Sequence, residues 1–537
     1  MATNSIDLHL QTEESRFSIT KSFFLAWALM AMFFMPGEGK IEKTVDPKNG
    51  VILSLQAAME EVQKAQAWAL EFSGNVTGTH DQMALQDCLQ LFEDTLYRLN
   101  GSLNSMKSFN LEKRSAMADV HTWVSAALTN QDLCLDGLSG TNYNRENNGS
   151  FDLTEFGSSI SLQVLNLSRL ISDSLALFAN LRASSLARPG KRRLLSNGKK
   201  IGFPEWVSGD QRRRFLQSTA DVVVAQDGSG DYKTITEALS AYNVPPQGNE
   251  TYYVMYIKAG QYYESIVINR AVRNLMMIGD GMNRTCVMGN RSIGDSGTLF
   301  GSSTFAVWGD GFIAKDMTFT NTAGPQKGQA VALLVAADRS VFYRCSMEGY
   351  QDTLFLYSTR QFLRECYIYG TIDFIFGNSA AVIQKSTILV RKPLTGQENV
   401  VTAQGRRYSN QNTGTILHAC TIMAASDLVP VQRDFTTYMG RPWQPFSRTV
   451  VMQSTLGDLI DPAGWVEWNS TDVFLNTLFY GEFDNDGAGA DTSRRVKWPG
   501  YHVINQTAEA EQFTVGNFID GDSWIPSSGI PFDLNIS

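Results

Sequence analysis

Two stretches of the chain superpose at one fixed offset. When "VFYRCSMEGYQDTLF" (341–355) is laid over "QFLRECYIYGTIDFIF" (361–376), Cys345 falls on Cys366 and Asp352 on Asp373, each pair 21 residues apart. The segment "AVIQKSTILV" (381–390) carries the register on to Ser386. A unit of strand-forming residues that recurs at about this length is one turn of a solenoid, because a single copy cannot bury its apolar face alone. The surrounding texture agrees. From Ala220 onward the chain reads as short β-rich runs such as "YYVMYIKAG", "NLMMIGDG" and "FAVWGDGFIAKDMTFTN", separated by Gly, Asn and Asp and without helices between them. The expectation is an all-β right-handed parallel β-helix over residues 218–537.

The same repeat locates an unusual acid. In "YIYGTIDFIFGN" (367–378) Asp373 stands among apolar, aromatic and glycine residues, where a buried carboxylate is costly unless it has a partner. Residues one period apart lie on adjacent rungs, roughly 4.8 Å apart, so Asp352 is expected beside Asp373. Gln351 precedes Asp352, and Gln329 stands 22 residues before Gln351, which places both amides in the same column. Two carboxylates at that separation do not both ionise cheaply; one is held as an acid beside an anion. Such a pair suits acid-base or nucleophilic chemistry, and glutamine amides beside it can donate to a developing oxyanion. The alternative is an Asn/Asp ladder that only satisfies backbone groups inside a solenoid.

The first third of the chain has a different period. In "DQMALQDCLQLFEDTLYRL" (81–99), Met83, Leu85, Leu89, Phe92, Leu96 and Leu99 recur mostly at spacings of three and four, an apolar stripe on a helix. Three similar runs between residues 50 and 184 predict an all-α four-helix bundle. Residues 185–217 form a basic linker, "SSLARPGKRRLLSNGKK" followed by "QRRRFL". It reads either as a solvated or polyanion-binding run or as a processing segment, cut at Arg192-Arg193-Leu194-Leu195 or around Arg213-Arg214-Phe215-Leu216.

Residues 22–35, "SFFLAWALMAMFFM", follow Arg16 and Lys21. The block is short for a bilayer span and suits a secretory leader, so residues 1–40 are read as a signal peptide or signal anchor. Ten N-x-S/T sequons agree with export of a glycoprotein. Five histidines, with no C-x-x-C and no H-E-x-x-H, give little material for a metal site. The net charge is −9, and from residue 218 onward 23 Lys and Arg stand against 31 Asp and Glu, −8. No nucleic acid is expected as a partner.

Five segments then converge. "GQYYESI" (260–266), "QAVAL" (329–333), "GYQDTLF" (349–355), "GTIDFIFGN" (370–378) and "YMGRPW" (438–443) closely resemble, in order and spacing, the signature segments of plant pectinesterases. The helical part, with "ALQDC" and "TWVSAALTNQDLCLDG", is similar to that family's inhibitor-like pro region. The resemblance implies hydrolysis of methyl esters in homogalacturonan, with Asp373 as nucleophile and Asp352 as proton donor and then base. It further implies that Gln351 and Gln329 stabilise the oxyanion and that Arg441 holds Asp373 through a bidentate pair. Trp443 is expected to stack on a sugar ring, with Phe376, Phe355 and Trp465 as further candidates in the cleft. Phe355 stands where the family commonly has tyrosine.

No metal or organic cofactor is implied. The expected partners are methyl-esterified homogalacturonan, a processing protease and a separate inhibitor protein, and the processed enzyme is expected to be a monomer in the cell wall. A membrane-anchored precursor in the secretory pathway is the alternative to a cleaved leader. Cys88 and Cys134 are candidates for a bridge between helices, whereas Ser386 replaces the cysteine the family often pairs with Cys366. Three other readings compete: a calcium-dependent pectate lyase, a silent wall-binding or inhibitor protein, and a serine protease suggested by "GDSG" (294–297). The first needs an acidic calcium cluster. The second fits poorly with an intact Asp352, Asp373, Gln351 and Arg441. The third has only His418 and His502 in the β region to complete a triad.

Overall fold

The computed structural model describes residues 46–75, 79–108, 114–138, 155–186, 219–242, 252–469 and 474–536. The apolar block at 22–35 and the processing residues Arg192 to Leu195 and Arg213 to Leu216 lie outside the described residues. The chain divides into two compact units.

One unit is helical. Helices α1 (Pro47–Phe72), α2 (Thr79–Ser108) from Cys88 onward, α3 (Arg114–Leu138) and α4 (Glu155–Leu186) supply it, and α4 packs against both α1 and α3. Helix α1 starts where Asp46 accepts from the Lys48 N–H and a proline occupies the first turn, whose missing N–H costs nothing there. It buries Val51, Leu55, Ala58 and Val62, and α4 answers with Ile160, Val164, Leu167, Ile171, Leu175 and Phe178. Each fully buried aliphatic or aromatic side chain contributes about 1.5–3 kcal/mol.

On α2 the buried face is rotated from the expected stripe. Leu85, Phe92 and Leu99 are buried as expected, but Met83, Leu89 and Leu96 lie at its edge while Asp94, Thr95 and Arg98 are inside. Hydrophobicity could not reveal that face because polar residues complete it. Asp94 accepts from Arg98 Nε (3.4 Å) and Asn130 Nδ2 (3.0 Å), and Thr95 Oγ1 accepts from Gln131 Nε2 (2.7 Å). Cys88 and Cys134 are joined by a disulfide across α2 and α3, with Cα atoms 4.8 Å apart.

The other unit is a parallel β-helix. Among the described residues its strands form three sheets of eleven, seven and eight strands, every pairing parallel and each strand next to its counterpart in the following coil. Inward positions stack in register. Ala314, Phe342, Leu363, Ile383, Leu417 and Val451 form one ladder, and Val287, Phe319, Met347, Ile368, Ile388, Ile422 and Leu456 another, all with no exposed surface. The outer face of the eleven-stranded sheet is apolar too, through Val341, Phe362, Val382, Ile416 and Val450. It is covered by Phe513, Ile519, Trp524 and Ile525 from the C-terminal segment.

One bend recurs in successive coils. Arg344, Glu365, Lys385, Ala419 and Gln453 have φ between 48° and 54°, and each precedes an inward residue: Cys345, Cys366, Ser386, Cys420 and Ser454. A single left-handed residue turns the chain sharply without a loop. Ser386 Oγ accepts the Cys366 N–H (3.0 Å), and Ser454 Oγ accepts the Cys420 N–H (3.0 Å), so hydroxyls here do a ladder's work between rungs. Cys366, Cys345 and Cys420 are buried free thiols, and burial pushes the Cys366 and Cys420 thiols up to about 12. The repeat lengthens after Ser386 because the segments after strands Thr387–Val390 and Thr421–Ala424 run out into longer connections.

Candidate active site

The site grows from two equivalent turns. Asp352 lies between strands Ser346–Glu348 and Leu354–Leu356, and Asp373 one coil later between Tyr367–Gly370 and Ile375–Gly377. Both are left-handed, with φ of 62° and 51°, a conformation aspartate tolerates better than most residues. Each turn opens with a glycine that the fold requires. A Cβ on Gly370 would stand 2.2 Å from Phe374 Cβ, and one on Gly349 would stand 2.7 Å from Thr353 Oγ1. The register Leu354 to Ile375 and Phe355 to Phe376, with the Asp352 N–H donating to Ile372 O (3.1 Å), sets the two acids on adjacent rungs as the repeat predicts.

Their surroundings treat them differently. Asp352 is 4% exposed and Asp373 5%. Burial, reinforced by the neighbouring Asp373 charge, holds the Asp352 carboxyl well above the usual carboxylate range; a hydrogen bond from Gln329 and the Arg441 charge oppose this and do not overcome it. Gln329 Nε2 donates to Asp352 Oδ2 at 2.9 Å. Asp373 instead faces a guanidinium: Arg441 Nε donates to Oδ1 (2.8 Å) and Nη2 to Oδ2 (2.5 Å). Arg441 comes from strand Thr437–Pro442, 68 residues further along, and despite burial the facing Asp373 holds it firmly protonated. Gln351 is half-buried beside the pair.

The aromatic candidates separate. Phe355 and Phe376 are register partners stacked 4.3 Å apart at 9°, but they are 1% and 4% exposed, so they form the wall behind the site. Trp443 is only partly buried; its ring lies 6.1 Å from Phe376 and rests so closely on Gly405 that a Cβ there would stand 2.7 Å from the indole. Trp465 does not belong to the cleft surface. It is 1% exposed, its ring sits 4.4 Å from Tyr480, and its Nε1 donates to Glu482 (3.3 Å), so neither face is open to a sugar.

Three residues of the site escaped sequence reasoning. Phe300 extends the aromatic wall against Phe355, Gly405 seats Trp443, and Trp468 lies under the Arg441 guanidinium at 4.4 Å. The last two contacts depend on loop paths and leave no periodic signal. An acid whose carboxyl is held above the usual range and a guanidinium-paired aspartate thus lie on adjacent rungs, with the Gln329 amide donating to the first, an arrangement suited to acid-base or nucleophilic chemistry.

Comparison with known proteins agrees with both units. The Pectinesterase family model matches residues 221–522, and the Plant invertase/pectin methylesterase inhibitor model matches residues 38–177. The chain is 47% identical over 466 residues to "Pectinesterase 1" of Citrus sinensis, covering 85% of this chain and 77% of that protein. It is 43% identical over 501 residues to "Pectinesterase/pectinesterase inhibitor" of Ficus pumila var. awkeotsang, covering 91% and 87%. Among solved structures, pectin methylesterase from carrot aligns with a TM-score of 0.57 at 50% identity, over 59% of this chain and 98% of that one. The chain belongs to the pectinesterase family: a pectin methylesterase β-helix that follows an inhibitor-like helical region.

Proposed function

We propose that the enzyme cleaves galacturonate methyl esters in homogalacturonan through an acyl-enzyme on Asp373. An Asp373 oxygen adds to the ester carbonyl, and the oxyanion that forms accepts hydrogen bonds from the Gln351 and Gln329 amides. The carbon–methoxy bond breaks as Asp352 gives its proton to the departing oxygen, which leaves as methanol. Asp352, now a carboxylate, takes a proton from water, whose oxygen attacks the substrate carbonyl of the anhydride. Asp373 departs as a carboxylate, the uronate acid is formed, and Asp352 is again protonated.

The observation that carries this reading is the divided electrostatics of one carboxylate pair: an Asp352 whose proton is held by burial and by its neighbour, and an Asp373 paired in the plane of Arg441. Trp443, partly open beside them, supplies the sugar platform, with Phe376 and Phe355 behind it. Methanol release from esterified pectin by Asp373→Asn and Asp352→Asn tests the assignment. Both fall to near background while the fold persists; near-normal release by folded Asp373→Asn overturns it.

The helical unit, 50–184 in this reading, restrains the enzyme or assists its folding until the 185–217 linker is cut by a processing protease. Residues 1–40 direct export to the wall, where the processed 218–537 enzyme acts as a monomer open to a separate inhibitor protein. The basic pairs, the sequons and the apolar block support this. Uncleaved protein, with both basic sites replaced, releases methanol more slowly than the processed enzyme; equal rates contradict the restraint.

A further inference from the structure

We propose that Trp468 is a positioning residue for the nucleophile, acting through Arg441; this rests on the reading of Asp373 as nucleophile. Arg441 reaches Asp373 with the edge of its guanidinium, through Nε and Nη2. That leaves the rest of the group to other contacts, and Arg441 Cζ lies over the Trp468 ring, 4.4 Å from its centroid. The two contacts are complementary. The carboxylate fixes the fork within its plane, and the indole fixes the tilt of that plane, which two hydrogen bonds on one edge leave soft. Cation–π attraction strengthens where water is excluded, and Arg441 keeps only 25% of its side-chain surface.

The path of the chain explains why the ring stays there. Residues 460–466 run beside the strand that carries Arg441. The Asp461 N–H donates to Thr437 O, the Met439 N–H to Gly464 O and the Val466 N–H to Gly440 O, at 2.8, 2.8 and 3.1 Å. Gly440, immediately before Arg441, is wedged: a Cβ there would stand 2.2 Å from Thr402 Oγ1 and 3.1 Å from the Trp465 ring. Trp465 is the buried pin of this segment. Its indole N–H donates to Glu482, which is itself gripped by Arg495 (2.8 and 3.2 Å) and by the Tyr501 hydroxyl (3.0 Å). The loop is therefore anchored three residues before Trp468, which ties the segment carrying the ring to the strand carrying Arg441.

The test is methanol-release kinetics on esterified pectin for the full chain carrying Trp468→Ala or Trp468→Phe, each also placed on Arg441→Lys. Trp468→Ala is expected to lower kcat about tenfold with KM unchanged, and Trp468→Phe, which keeps an aromatic face, to recover most of the loss. On Arg441→Lys the Trp468→Ala change is expected to cost less than about twofold, because the group through which it acts is already gone. A raised KM with unchanged kcat overturns the proposal, since the ring is then a sugar platform. A loss of equal size on both backgrounds overturns it as well. If Trp468→Ala fails to fold, Trp468→Phe and Trp468→Leu on both backgrounds give the same cycle. Asp373→Asn runs alongside: if it stays active, the nucleophile reading fails whatever Trp468 does.

Discussion

The helical unit and the β-helix each bury an aspartate, and they do opposite things with it. Asp94 in α2 is 0% exposed and gathers donors from Arg98 and Asn130; Asp352 in the coil is 4% exposed and has another carboxylate on the next rung. In the bundle the cost of burying a charge is offset locally, and the result is a scaffold. At the turn pair the cost is left standing, and the proton that relieves it is the one the chemistry needs. The coil contains a pair of the bundle's kind as well. Asp338 accepts from Arg360 Nε (3.0 Å) and Nη2 (2.6 Å) across adjacent rungs, both side chains closed to solvent. The contrast therefore lies in the partner and not in the architecture.

The largest effect that can break this comparison is on turnover. Asp373→Asn is expected to reduce methanol release about 10³-fold or more, while Asp94→Asn leaves the rate per folded molecule within about twofold. If the bundle substitution matched the loss, buried aspartates as such would matter, not their partners. Next is stability. Asp94→Ala leaves Arg98 buried without its acid and is expected to destabilise the helical unit by about 3–5 kcal/mol, read as an earlier helical transition in denaturant. Arg441→Lys follows, with an expected loss of about 10²-fold in kcat, because an ammonium cannot reproduce the planar fork on Asp373.

The smallest effect sharpens the comparison through pH. The folded Asp352 pKa is raised above that of the unfolded chain. Above about pH 4 the unfolded state therefore binds fewer protons than the native one, and stability falls as pH rises towards the folded pKa. Asp352→Asn mimics the neutral form and escapes that loss. The variant is expected to match the parent near pH 4 and to become progressively more stable than it as pH rises, checked by denaturant midpoints across a pH series. A parent-to-variant difference that does not change with pH would place the proton elsewhere.

What the sequence could reveal follows from where periodicity reaches. Asp352, Asp373 and the wall residues Phe355 and Phe376 sit in coils of equal length, so a count of 21 places each beside its counterpart. The coil containing Arg441 comes after long connections, and its pairing with Asp373 followed only from the family resemblance. Trp465 is a buried pin and not a platform, a distinction for which an aromatic near a cleft motif has no signature; its burial is decided by Tyr480, Glu482 and Arg495. The contact of Trp468 with Arg441 depends on a loop path and leaves no periodic signal either. In α2 the apolar period located the helix but mislaid part of its inner face, since Asp94, Thr95 and Arg98 look like solvent-facing residues until their partners on α3 and within α2 are known.

The central claim is that Asp352 keeps its proton beside an Asp373 that is paired with Arg441, and infrared difference spectroscopy of the carboxyl stretch reads it most directly. Burial also lifts the Asp87 carboxyl to about 7, so at neutral pH the protonated carboxylic-acid band of the parent is expected to lose one component in Asp352→Asn that persists in Asp87→Asn and Asp94→Asn and titrates at lower pH in Asp373→Asn, once the neighbouring charge is removed. A neutral-pH spectrum without that band, or a band unchanged by Asp352→Asn, would contradict the account.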